Sequence, residues 1–261
     1  MKTTRVEELS NQLLIAEETR NSILPLTEMN EQFTVEEAYQ IQLSNIGLKV
    51  NAGQKVVGKK IGLTSLAMQE LLGVDEPDYG HLLSGMAIPN FGEISISKTI
   101  APKAEAEIAF VLKEDLVGPN VTFEDVIRAT DYIVPAIEVV DSRIKDWKIR
   151  LEDTVADNAS SCLFLLGEQR FHLENVDLPT IEMDLYRNDE KINSGKGAAV
   201  LGNPIHCVAW LANKLSEFGI SLKAGEIILS GALSAAISVA SGDKVTAKFP
   251  LLGDVSVTFT E

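Results

Sequence analysis

Three glutamates stand in segments that are otherwise apolar. Glu105 and Glu107 lie in the run Ala104–Leu112, and Glu138 lies in Val134–Val140. In a strand, residues i and i+2 share a face, so Glu105 and Glu107 would be neighbours; on a helix they would be about 200° apart. Two like charges side by side in a half-buried strand raise each other's pKa. A divalent cation offsets that repulsion economically. With Glu138 added the donors are all hard oxygens, a set suited to Mg2+ or Mn2+ rather than zinc. Three protein ligands also leave positions for water and substrate oxygens. The competing reading is a solvated polar strand face. Glu138 weighs against it, because Ile137, Val139 and Val140 surround it and charges are rarely buried unpaired.

Other segments could supply groups to such a site. Gly58-Lys59-Lys60-Ile61-Gly62-Leu63-Thr64-Ser65 reads as a strand–turn–helix connection in which glycines admit a ligand and a lysine pairs with a carboxylate or moves a proton. It lacks the spacing of a phosphate-binding P-loop. Its plainer reading is a connection with solvated lysines. Asp75-Glu76-Pro77-Asp78-Tyr79-Gly80 reads as a turn, with Asp78 either an acid–base group or a shaper of the loop. Asp141-Ser142-Arg143 places a charge pair at a strand end. Asp157-Asn158-Ala159-Ser160-Ser161 offers hydroxyl and amide donors, or simply a capped turn. His81, His172 and His206 have no ligand spacing and read as surface or packing residues.

The elements that would position these groups follow from periodicity. Val6, Leu9, Leu13 and Ala16 share a helical face, and Thr34 with Glu37 forms a capping box ahead of a second helix. A short helix is expected from Thr64 or Ser65 through Met68, Leu71 and Leu72 to Gly73. From about residue 100 the pattern is strand-like, over 104–112, 133–140, 181–185, 226–230, 244–249 and 255–259, with a turn at Asn188-Asp189. Helices begin at Thr122 and at Asn203-Pro204, the latter ending at Gly219. Helices first and strands later make an α+β fold: a mainly helical part over 1–75 and a strand-rich catalytic body over 76–261, integrated into one domain.

Composition narrows the function. The 261 residues include 38 Asp and Glu against 23 Lys and Arg, a formal charge of −15, which disfavours nucleic acid and anionic membranes as partners. No run approaches the roughly 18 apolar residues of a membrane span. Two cysteines exclude a disulfide framework and a cysteine-based zinc site. The polar start MKTTRVEELSNQLL lacks an apolar signal core, so a cytoplasmic location is expected.

Taken together, Gly58–Ser65, Gly73–Gly80, Glu105-Ala106-Glu107-Ile108-Ala109-Phe110, Pro135-Ala136-Ile137-Glu138, Asp141-Ser142-Arg143, Asp153–Ser161 and Ile228-Leu229-Ser230-Gly231-Ala232-Leu233 resemble the 2-keto-4-pentenoate hydratase family of the fumarylacetoacetate-hydrolase-like superfamily. The resemblance spans nearly the whole chain. It implies a mixed β-roll or barrel with helices around it, and a homo-oligomer. It implies a Mg2+ or Mn2+ site of Glu105, Glu107 and Glu138. Lys60, Asp78, Ser160 and Ser161 would be catalytic, and Leu63, Thr64 and Ser160 would bind substrate.

The implied reaction is metal-dependent addition of water to 2-hydroxypenta-2,4-dienoate, giving 4-hydroxy-2-oxopentanoate, in meta-cleavage degradation of aromatic compounds. A complex with a neighbouring pathway enzyme is a further partner to test. Lys60 and Asp78 would move protons, and a cation plus an apolar wall should lower the lysine pKa. The sister group, 4-oxalocrotonate decarboxylase, shares the ligands. Pro77-Asp78-Tyr79-Gly80 and Asp146-Trp147 look more like the hydratases. Acylpyruvate hydrolysis ranks third, since no His-Glu dyad is recognisable near the N-terminus. A non-catalytic scaffold has no evident need for three clustered carboxylates.

Overall fold

The structure is a computed structural model that describes residues 4–65, 69–70, 73–74 and 76–261. The helix expected through Met68, Leu71 and Leu72 falls on positions outside the described residues.

Two capped helices open the chain. In α1 (Arg5–Thr19), Thr4 and Glu7 form a reciprocal capping box and Leu9, Leu13 and Ala16 are buried. In α3 (Val35–Asn51), Thr34 and Glu37 do the same, burying Ala38, Ile41 and Ile46. Between them α2 (Leu26–Met29) is a single turn. Further α-helices among the described residues are α4 (Phe123–Ala129), α5 (Leu151–Ala156) and α6 (Pro204–Ser216). Helix α6 starts as its sequence indicates. The Asn203 side chain accepts from the Ile205 amide, and Pro204 occupies the first turn, where its missing N–H costs nothing. It ends at Ser216, three residues before the expected stop.

Among the described residues, twelve strands make two sheets. The first comprises β1 (Val56–Gly62), β2 (Asp78–Leu83), β4 (Lys103–Leu112), β5 (Thr130–Val140), β6 (Ser161–Leu166), β9 (Ile227–Ala232) and the short β10 (Ile237–Ser238). Its order is β2-β1-β9-β4-β5-β6, with β10 beside β4. Strands β1 and β9 are parallel and the other neighbours antiparallel. The second sheet runs β3 (Gly92–Ser95), β12 (Gly253–Thr260), β11 (Lys244–Phe249), β7 (Glu182–Arg187) and β8 (Glu190–Lys196). Asn188 and Asp189, both with positive φ (51° and 66°), turn β7 into β8, a backbone the Asx side chains tolerate.

The two faces of β4–β5 are unequal. One carries Ala106, Ile108, Phe110, Ile137 and Val139 into the main core, with Val257 and Phe259 of the second sheet and Val208, Leu211 and Leu215 of α6. The other meets a smaller cluster, in which Ala109, Val134, Ala136 and Leu229 pack with Ile46, Leu82, Leu83 and Phe164. Each large side chain fully buried contributes about 1.5–3 kcal/mol, so the main core holds the sheet and leaves the second face room for polar groups. No helix among the described residues is long and apolar enough to cross a membrane.

Candidate active site

Strand alternation puts Glu105 and Glu107 on the second face, and the β4–β5 register sets Glu105 directly opposite Glu138. One carboxylate oxygen from each of the three lies within 4.8 Å of the others. Glu107 and Glu138 are fully buried, and Glu105 is half-buried.

One oxygen of Glu107 is held. Its Oε2 accepts the Gly231 N–H at 2.7 Å. Gly231 lies at φ +117°, and a Cβ there would collide with the Thr64 side chain, so only glycine presents this amide. The free oxygens are more telling. Glu107 Oε1 and both oxygens of Glu138 are buried without a hydrogen-bond donor. Buried polar atoms are nearly always satisfied. A cluster of unsatisfied carboxylate oxygens converging from two strands could therefore hold a hard cation, and these donors fit Mg2+ or Mn2+.

Lys60 is the counter-charge. Strand β1 runs through Gly62, so the lysines that read as solvated connection residues are both inside a strand and both buried. Lys60 Nζ is 3.1 Å from Glu138 Oε2, an ion pair without hydrogen-bond alignment. It donates instead to the Ala159 carbonyl at 3.2 Å. Burial does disfavour its charge, but Glu138, Asp78, Glu105 and Glu107 outweigh that and raise the pKa above the ordinary lysine value. Burial and mutual repulsion raise the acids too: Glu105 goes to about 7 and Glu107 well above its usual range, against the pull of Lys60.

Asp78 opens strand β2 rather than shaping a loop, and pairs across from Gly62. A side chain at 62 would overlap Asp78 Oδ1 and sit 3.4 Å from Lys60 Nζ. The glycine thus admits an acid and a lysine of this chain where the sequence suggested a ligand. Burial, together with Glu138, raises the Asp78 pKa against Lys60, and its Oδ1 has no hydrogen-bond partner.

The turn Asn158–Ser160 closes one side. All three residues have positive φ (56°, 51° and 52°). Asn158 clamps the turn to β2, accepting from the His81 amide at 2.8 Å and donating to the His81 carbonyl at 2.9 Å. Helix α3 supports the same strand. Gln42 donates to the Tyr79 and Val155 carbonyls, and its Oε1 lies 3.0 Å from His81 Nδ1. With both amide hydrogens so used, the His81 ring must be the donor. Ser160 and Ser161 are buried, and neither hydroxyl has a partner. Ser161 also borders a separate cavity of about 500 Å³, shared with Asp141, Arg143 and Cys162 and lined by none of the three glutamates. The Leu63 carbonyl accepts from Gln69 Nε2 at 2.7 Å, and Thr64 abuts Gly231.

Arg143 does not pair with Asp141. Its Nε donates to Asp157 Oδ1, while the two Asp141 oxygens accept from the Ile100 and Ala101 amides. Sequence reading missed strands β2, β3, β6 and β10, the Gly231 amide, Asn158 and Gln42. The continuous apolar run Cys162–Leu166 was the available signal for β6.

Comparison with known proteins shows the family and the fold. Residues 77–260 match the family model for the C-terminal part of fumarylacetoacetate (FAA) hydrolase. The chain is 44% identical over 258 residues to the 2-hydroxyhexa-2,4-dienoate hydratase of Comamonas testosteroni, covering 98% of each. It is 49% identical over 222 residues to the 2-hydroxypent-2,4-dienoate hydratase of Pseudomonas putida, covering 85% of this chain and 100% of that one. The 4-oxalocrotonate decarboxylase of Pseudomonas putida G7, solved with magnesium and adipate, superposes with a TM-score of 0.96 at 41% identity over 99% of both chains. These matches place the chain in the 2-keto-4-pentenoate hydratase family of the FAA-hydrolase-like proteins.

Proposed function

We propose that the protein is a hydro-lyase that adds water to 2-hydroxypenta-2,4-dienoate, giving 4-hydroxy-2-oxopentanoate, in the degradation of aromatic compounds. The observation that carries the reading is the convergence of Glu105, Glu107 and Glu138 on one buried face with Lys60 and Asp78 beside them. Glu105, Glu107 and Glu138 would hold Mg2+ or Mn2+. Bound there, the ion supplies a Lewis acid for the negative charge that develops on a 2-oxo acid as its dienol ketonises.

The chain's own groups do the rest. Lys60, with Nζ 3.1 Å from Glu138 Oε2, is placed to move a proton beside the carboxylates. Asp78, with its raised pKa, can hold a proton at Oδ1 and exchange it with water or substrate. The Ser160 hydroxyl is free to orient a carboxylate or the attacking water, and Leu63 and Thr64 wall the substrate. The apolar cluster of Leu82, Leu83, Ala109, Val134, Phe164 and Leu229 excludes bulk water from the same face. The two thiols, Cys162 and Cys207, are unpaired, which suits a cytoplasmic enzyme. A homo-oligomer, and a complex with a neighbouring pathway enzyme, complete the reading.

A second reading, decarboxylation of 4-oxalocrotonate, is favoured by the near-complete superposition on the decarboxylase. One experiment separates them. The Mg2+-loaded protein is given each substrate, following dienoate absorbance and trapping CO2. Loss of dienoate absorbance without CO2 supports the hydratase. CO2 released from oxalocrotonate, with the pentadienoate untouched, overturns it.

A further inference from the structure

The carboxylate face has an open end. Along β4, Glu107 is fully buried, whereas Glu105 and Lys103 are half-buried. Alternation puts all three on one face. Lys103 therefore stands at the mouth, and its charge reaches inward to Glu105.

Lys103 is held there by an aromatic ring. Its Nζ lies 4.1 Å from the centroid of Trp147. The indole is fixed in turn, since Nε1–H donates to the Ala101 carbonyl at 2.9 Å. The turn that carries the ring is strained: Asp146 and Trp147 have φ of 59° and 55°. A bulky aromatic residue adopts that backbone only at a cost, and such strain gathers at functional sites. The turn is also basic. Lys145, Lys148 and Arg150 flank Trp147, are exposed, and outnumber the single acid Asp146. Among the described residues, none of these three nor Lys103 forms an ion pair with a carboxylate.

A chain with a formal charge of −15 repels a small acid at long range. A cationic collar at the mouth of the site reverses that field locally. We propose that Lys103, seated on Trp147 and backed by Lys145, Lys148 and Arg150, is the docking cation for the carboxylate of a small organic acid on its way to the glutamate face. The inference rests on the reading that this face handles such acids, and it adds how they are captured against the protein's own charge.

The test compares Lys103→Met with Lys248→Met. Lys248 also lies over an aromatic ring, 4.6 Å from the Tyr186 centroid, but belongs to the second sheet, so it controls for loss of one charge. In the Mg2+-loaded full chain, Lys103→Met should lower kcat/KM for the dienoate about tenfold at low salt, chiefly through KM, and flatten its dependence on NaCl. Lys248→Met should keep the wild-type slope, and Lys103→Arg should restore it. Calorimetry with 2-oxopentanoate should show a similar loss of affinity in Lys103→Met. That arm needs no turnover, so it decides the docking role even where the hydratase reading fails. An unchanged KM and salt slope in Lys103→Met, an equal effect in Lys248→Met, or a wild type that does not bind 2-oxopentanoate would each overturn the proposal.

Discussion

Lys59 and Lys60 are adjacent in β1, both buried, and each lies beside a glutamate, yet the two pairs differ in kind. Lys59 Nζ donates to Glu226 Oε1 at 2.6 Å, and Glu226 Oε2 accepts the Lys223 amide. That pair is closed. Lys60 reaches Glu138 at 3.1 Å without alignment, faces three further acids, and leaves both Glu138 oxygens without a donor. A closed buried pair offsets its own desolvation and holds two elements together. An open cluster has too much negative charge for its one cation, and its orphaned oxygens are available to something else. Alternation of a single strand separates the two: one face of β1 carries the closed pair, the other the open cluster.

The largest way to break that contrast is on the open side. Glu107→Gln should weaken Mn2+ binding by more than about 100-fold and abolish dienoate turnover while the circular dichroism spectrum is kept. Wild-type turnover by this variant after exhaustive chelation would refute the metal assignment. Next, Lys60→Met should lower kcat by roughly 10²–10⁴-fold, the usual range for a lost proton-transfer group, while Mn2+ titration still shows a site.

On the closed side the effect moves from rate to stability. Lys59→Met strands Glu226 and should cost about 3 kcal/mol in urea denaturation. The kcat of the folded variant should stay within about twofold of wild type, because Lys59 faces away from the glutamates. Lys59→Met with Glu226→Leu should recover most of the loss. The smallest effect is a pH dependence on the same face. His81, paired across from Lys59, has its pKa depressed to about 3 by burial and then by the Lys59 charge. Between about 6.5 and 3 the unfolded chain binds a proton that the folded chain does not, so stability falls as pH falls through that window. From pH 6 to 5 the contribution is about 1 kcal/mol. Lys59→Met should shrink it.

The sequence reading and the structure agree where chemistry is local. Apolar alternation was enough to put Glu105 and Glu107 on one face, and Thr34–Glu37 and Asn203-Pro204 announced their helices. What was illegible depends on partners distant in sequence. Asp78-Tyr79-Gly80 reads as a turn because Asp and Gly are poor strand formers, yet β2 forms because Gly62 makes room for Asp78. The lysine at 60 was visible, but the sign of its pKa shift depends on four carboxylates contributed by three strands. Arg143 takes the carboxylate of Asp157 from beyond α5, while its Nη1 donates to the backbone carbonyl of its near neighbour Asp141 and not to that residue's carboxylate.

The parallel pairing of β1 with β9, Lys60 against Leu229, joins the early part of the chain to its last quarter. Closing so long a loop is entropically expensive and slow, and no shorter segment can substitute for it. The glutamates of β4 and β5 meet across the connection that carries α4, whereas the lysine beside them comes from β1 and the amide that aims Glu107 from β9, strands much further apart in the chain. Without β9 the acidic half of the site would stand without its positive half, so assembly of the site waits on the pairing of β1 with β9.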